Sequence, residues 1–241
     1  MDTKTTESFK QSLMPLYDEL TKKVYSQYFC VQWGKNYPIA KHEGILFVGR
    51  ATNGWVGDTN DVNLLFGEPD KDNTIFNRID QMKWKENSPK GHKSNYSPFW
   101  QFVKNVTQQH FKCKNGWTSH IAWSNLYKVS PIGEGNPTEQ MKEKQISICK
   151  QILQTEIEVL SPKIVLIPTG EDWYNPFIKY LHGDSEPILL NKKIIIEKRK
   201  LKTIEHKCYT CNIKDVTFIL TDYPMRGDQN EMINYVIQNM R

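Results

Sequence analysis

One side-chain amide at the end of an apolar run suits the reading of a planar polar ligand. Asn125 stands in Ser124-Asn125-Leu126-Tyr127-Lys128-Val129-Ser130-Pro131, and its amide offers both a donor and an acceptor. It can equally end a strand and cap a turn. Earlier in the chain, Gly49-Arg50-Ala51-Thr52-Asn53-Gly54 follows another apolar run. Arg50 can grip a phosphate through its two-pronged guanidinium. Asn53 can orient a water, or it can simply make an Asn-Gly turn with Gly54. Late in the chain, Asp222-Tyr223-Pro224-Met225-Arg226 offers a neutral hydroxyl donor, an apolar side chain and a cation. The same stretch reads also as an ordinary loop that anchors the last helix.

Basic residues between 192 and 207, with Lys198 and Arg199 at their centre, could contact phosphates without choosing sequence. Such a run is also an ordinary solvated edge, where lysines guard against strand pairing. Trp55, Trp84, Phe99 and Trp100 could stack on a base, although Phe99 also fits the apolar face of a helix. Cys208-Tyr209-Thr210-Cys211 has half the ligands of a closed zinc site and no second pair. No metal and no cofactor are therefore expected.

These residues need elements to place them. Residues 44–49, 120–127, 164–167 and 216–221 read as buried strands. Residues 9–29, 98–109, 138–160, 172–181 and 229–240 read as helices, the first with a break near Pro15. Asn136 and Pro137 would start the third of these, with Glu139 completing a capping pair. Residues 55–95 read as a long polar loop with short helices. Residues 188–210 read as a basic β-hairpin or edge extension. The alternation predicts a three-layer α/β/α sandwich around a central, mostly parallel four-stranded sheet, with the hairpin as an extension. All 241 residues are expected to form one domain. Ligands of such sheets sit beyond the carboxyl ends of the strands. Those ends carry Arg50, Asn53, Asn125 and Tyr223.

Composition narrows the class without naming a function. The chain has 32 Lys and Arg against 27 Asp and Glu, a net charge of +5. That permits a polyanionic partner and does not require one. Aromatics at 12% argue against disorder. No apolar run has the roughly 18 residues of a membrane span, and residues 1–8 lack a signal-peptide pattern. Five cysteines fit reduced thiols. A cytoplasmic monomer with no membrane association is expected.

In their order, the four strand-end segments resemble the uracil-DNA glycosylase superfamily. The first loop, Gly49 to Gly54, stands where that family has a Gly-x-(Asp/Asn/Ala)-Pro-Gly-like loop. Asn125 matches the Asn that reads the base. Lys128 and Pro131 match the iron–sulfur branch, as do Asn136-Pro137-Thr138, Cys149 and the segment 162–170, although Val129 replaces one cluster cysteine and only Cys30 precedes the first motif. The family's closing His-Pro-Ser reads Tyr223-Pro224-Met225 here. The resemblance implies a DNA repair protein acting in base excision, without an iron–sulfur cluster. It would hydrolyse the N-glycosidic bond of uracil or another damaged base in single- or double-stranded DNA. It further implies that Ala51, Thr52 and Asn125 bind the base, and that Asn53 and Tyr223 take the catalytic positions. Arg50, Met225, Arg226, Lys198 and Arg199 would contact nucleic acid. The alternative is a binding protein for nucleic acid or nucleotides on the same fold, without hydrolysis. Thr52 in place of the loop proline and Tyr223 in place of the histidine favour that alternative.

Overall fold

The computed structural model describes residues 3–38, 43–53, 62–66, 80–133, 135–199, 202–227 and 229–240. In chain order the elements are α1 (Thr3–Lys23), β1 (Gln27–Tyr28), β2 (Gln32–Trp33), β3 (Gly44–Gly49), α2 (Val62–Phe66), α3 (Lys83–Glu86) and α4 (Pro98–Phe111). They continue with β4 (Ile121–Asn125), β5 (Val129–Ser130), α5 (Glu139–Leu160), β6 (Pro162–Pro168) and α6 (Glu171–Leu181). The last are β7 (Leu190–Arg199), β8 (Lys202–Ile213), β9 (Val216–Thr221) and α7 (Asn230–Asn239).

The four expected strands are present as β3, β4, β6 and β9. They lie side by side in the order β4-β3-β6-β9, all parallel. The sheet has seven strands rather than four. Short β2 adds antiparallel to β4 at one edge. At the other edge β8 pairs antiparallel with β9 and then with β7. The basic hairpin thus extends the sheet at its edge, as expected. A tight turn at Lys214, which adopts a left-handed φ of 53°, returns β8 into β9.

Strand side chains alternate between two apolar clusters. Leu46, Val48, Val165, Ile167 and Leu220 face α1, α5 and α6. Ile45, Phe47, Ile164, Leu166 and Ile219 face α4 and α7. Helices therefore cover both faces of a mixed, centrally parallel sheet. No helix among the described residues is long and apolar enough to cross a membrane.

Three local expectations differ from the structure. Helix α1 runs unbroken through Pro15, which is exposed, while Phe9, Leu13, Tyr17 and Leu20 are buried. Packing along that buried face outweighs the hydrogen bond the proline removes on the solvent side. Tyr28, read as the end of the same helix, lies in β1. Helix α5 is capped by Thr138, whose hydroxyl accepts from the Met141 N–H at 3.3 Å. Asn136 and Pro137 stay outside it.

Cys208 belongs to one apolar cluster and Cys211 to the other. Three positions apart on one strand, their side chains point to opposite faces, so they cannot chelate one ion.

Lys85 on α3 is buried, donating from Nζ to Asn95 Oδ1 at 2.8 Å and lying 5.8 Å over the Trp100 ring. Burial, and then the Lys104 ammonium, pull its pKa down to about 8. An unfolded lysine keeps its proton to about pH 10.4. Between those values the unfolded chain binds more protons than the folded one, so Lys85 makes stability rise with pH across that window. Denaturant midpoints measured from pH 7 to pH 10 should therefore climb less in Lys85→Met than in the wild type. Equal climbs would place the titration elsewhere.

Candidate functional site at the strand ends

The carboxyl ends of β3, β4, β6 and β9 gather at one rim of the sheet. Chain order reverses between β3 and β6, because β4 lies on one side of β3 and β6 on the other. Such a switch point opens a crevice in a parallel sheet. Arg50 leaves β3 at this point. Its Nε donates to the Thr169 carbonyl beyond β6 at 2.8 Å. Its guanidinium carbon lies 4.4 Å from the Tyr223 ring centroid and 5.0 Å from that of Trp173. Burial pulls the Arg50 pKa down, opposed by Tyr223, Asp222 and Asp172. Arg50 is therefore a cation held by two aromatic faces across the switch point. One edge of its fork is already committed to the protein. Beside it an open cleft of about 510 Å³ is lined by Asp172, Trp173, His206, Asp222, Tyr223 and Met225, among others.

The Tyr223 phenol packs against the cluster formed by α4 and α7. The Ser97 side chain and the Phe99 backbone, at the start of α4, hydrogen-bond its oxygen. Burial pushes its pKa up, against the influence of Arg50 and these hydrogen bonds. The hydroxyl stays protonated and neutral at physiological pH. Asp222, next to it, accepts from the Lys207 backbone N–H at 2.7 Å, which ties β9 to β8 at the rim.

Asn125 ends β4 opposite Gly49 in the parallel register. It is 1% exposed. Its Oδ1 lies so close to Gly49 that a β-carbon added there would stand 2.5 Å from it and 3.4 Å from the Phe99 ring. Its Nδ2 is buried with no hydrogen-bond partner among the described residues. Such an atom is costly unless something else satisfies it. The backbone of Asn125 is fixed from below. Lys128 Nζ donates to its carbonyl at 2.7 Å, to Ser124 Oγ at 2.6 Å and to Glu156 Oε2 at 2.8 Å. Ser124 Oγ donates to the same carboxylate oxygen at 2.6 Å. Lys128 and Glu156 are both fully buried. Burial pushes the Glu156 carboxyl up, with Lys128 opposing. The Leu126 and Tyr127 amides donate to the Gly49 and Arg50 carbonyls at 2.8 and 3.0 Å, which seams the two strand ends together.

The remaining loop residues turn the other way. Ala51 packs against the cluster of α1, α5 and α6. Thr52 is buried, its hydroxyl 2.9 Å from that of Ser130. Asn53 is exposed and accepts the Gly135 N–H at 2.8 Å. The structure thus joins Arg50 to Tyr223 and sets both Asn125 and Phe99 close to Gly49. It directs Thr52 and Asn53 toward the 130–135 loop. Met225 is 40% exposed at the mouth of the cleft, and Arg226 beside it is exposed. Lys198 and Arg199 lie on β7 near the hairpin tip, and their side chains fall outside the described residues. Elsewhere in the basic run, Lys193 lies 3.8 Å from Glu231 and Lys207 3.4 Å from Glu171, so part of the run meets the protein's own carboxylates.

Trp84 and Trp100 contact each other and Trp123, with ring centroids 4.7–5.9 Å apart. Their faces are largely spent within the protein. Trp55 lies outside the described residues. Cys149 is buried, receives the Lys128 N–H at 3.4 Å and has its pKa pushed up to about 12. It is an unreactive thiol. Glu156 was not singled out by the sequence reading, yet it anchors the site. Its signal is a carboxylate inside the apolar stripe Ile152, Leu153, Ile157 and Leu160.

The chain matches no protein-family model and no curated protein.

Proposed function

We propose that this chain recognises a nucleobase at the strand ends, on a fold of the uracil-DNA glycosylase kind, and hydrolyses the N-glycosidic bond of uracil or another damaged base in DNA. One observation carries the reading: the Asn125 amide, buried with an unsatisfied Nδ2, packed close to Gly49 on a backbone whose carbonyl Lys128 holds. An extruded base supplies the acceptor that this donor lacks, and an acidic N–H for the amide oxygen. In the reaction, water bonds to the sugar C1′ while the bond from C1′ to the base nitrogen breaks. The departing base carries the electron pair and is reprotonated. Arg50, lying over the Tyr223 ring, supplies a positive charge beside the tyrosine that replaces the family's histidine. The backbone of the 49–53 loop would place the water, because the side chains of Ala51, Thr52 and Asn53 turn toward other partners. Met225, Arg226, Lys198 and Arg199 would meet the strand.

A second reading keeps the binding and omits the hydrolysis. It is favoured by the committed amide of Asn53 and the committed hydroxyl of Tyr223. Base release from uracil-containing single- and double-stranded oligonucleotides separates the two, with Asn125→Ala alongside. Release that disappears in the variant supports the enzyme. Uracil-selective binding without release supports the binding protein.

A further inference from the structure

A second cavity, of about 350 Å³, lies between α4 and α7 and is lined by Gly227 of the 222–227 loop. That is the size of a small-ligand pocket, commonly about 300–1,000 Å³. Its walls include Asn95, Trp100, Gln101, Lys104 and Gln229. No carboxylate stands among the described residues that line it. Among the described residues the charged group at its wall is Lys104. Lys104 is exposed at its wall, and buried Lys85 sits behind Asn95 and Trp100, bound to a neutral amide oxygen. Gln229 is almost wholly buried. Its Nε2 donates to the Pro98 and Met225 carbonyls at 3.2 and 2.9 Å. Its Oε1 has no partner among the described residues. The pocket thus has a cation for an oxyanion at its wall, and behind that wall a buried, unsatisfied acceptor on Gln229. A nucleotide carries an oxyanion for the one and an N–H or O–H for the other.

We infer that the cavity between α4 and α7 holds a nucleotide unit of the bound strand, with its phosphate on Lys104 and a donor of its base or sugar on Gln229. This rests on the reading of the chain as a nucleic-acid-binding protein. The place fits that reading. The 222–227 loop lines this cavity through Gly227 and the cleft at Arg50 through Asp222, Tyr223 and Met225, and Gln229 ties that loop to the start of α4. A strand crossing the loop would leave one nucleotide on each side.

The test is the salt dependence of binding, measured with short single strands containing either uracil or thymine only. Lys104→Gln and Gln101→Glu change exposed positions, and unchanged thermal unfolding would show that both variants fold. Loss of one phosphate contact lowers the slope of log affinity against log salt by about 0.7 for a single strand. Lys104→Gln is expected to show that decrease, with a several-fold weaker affinity that is equal for the two strands. Gln101→Glu, which puts a carboxylate into the cavity, should weaken binding further. Slopes unchanged in both variants, with uracil still preferred by the wild type, would overturn the cavity inference and leave the Asn125 reading standing. Lowered slopes with no uracil preference would support the cavity and sink the Asn125 reading. Inorganic phosphate displacing the strand at an equal phosphate concentration would make this a free-anion site and overturn the strand assignment. Wild-type protein that binds neither strand would overturn both.

Discussion

Glu156→Ala is expected to cost about 3–5 kcal/mol of folding stability, the usual loss when one partner of a buried ion pair is removed. Lys128 and Glu156 are both fully buried, and Lys128 has three acceptors within 2.8 Å. Without the carboxylate its ammonium would stay in an apolar interior, held only by a hydroxyl and a carbonyl. Ser124 would lose its acceptor as well. Urea unfolding of the variant reads the loss directly. Replacing the pair together, as Lys128→Met with Glu156→Leu, should recover much of it, because burying the charges costs about as much as their attraction returns. That double variant separates folding from function. It keeps a packed core and removes the ammonium that fixes the Asn125 carbonyl, so base discrimination should fall while stability returns. A single-variant loss under about 1 kcal/mol would be that of a solvent-exposed pair and would contradict the burial.

Gly49→Ala should act in the opposite way, with a modest cost to folding and a large one to recognition. Gly49 has no left-handed φ, so conformational freedom is not the reason for glycine here. Close approach is. A methyl at this position would stand 2.5 Å from Asn125 Oδ1 and 3.4 Å from the Phe99 ring. The Asn125 amide must move, since the seam between β3 and β4 holds the backbone on both sides. Overpacking of this kind typically costs about 1–3 kcal/mol. Discrimination between uracil- and thymine-containing strands should vanish, although the transition in urea stays cooperative. A variant that discriminates as the wild type does would show that the amide at Gly49 is not the reading group.

The central strands were legible because a fully buried parallel strand reads as an unbroken apolar run between breakers. Residues 164–167 and 216–221 both fit that description, and the corresponding strands are Pro162–Pro168 and Val216–Thr221. Their carboxyl ends led to Arg50, Asn125 and Tyr223, and the structure brings all three to one rim. The edges were less legible. Strand β2 is two residues long, too short for any period to register. Pro15 misled because propensity is local, whereas the buried face of α1 is held by the rest of the fold. The polar anchors were hidden for another reason. The sequence shows Lys128 and Glu156 as two ordinary charges 28 positions apart, and only the meeting of the segment between β4 and β5 with α5 makes them a pair. The direction of Asn53 toward Gly135 is likewise a tertiary fact, set by a contact 82 positions away.

The central claim is that the Asn125 amide reads a base. Its most direct test is competition binding of uracil-containing against thymine-containing single strands, comparing the wild type with Asn125→Ala. Asn125→Ala removes a buried donor that has no partner within the described protein, so the fold should tolerate it. The account predicts that the wild type prefers uracil and that the variant binds both strands alike, with the same dependence on salt. A variant that folds cooperatively and keeps the full preference for uracil would contradict it.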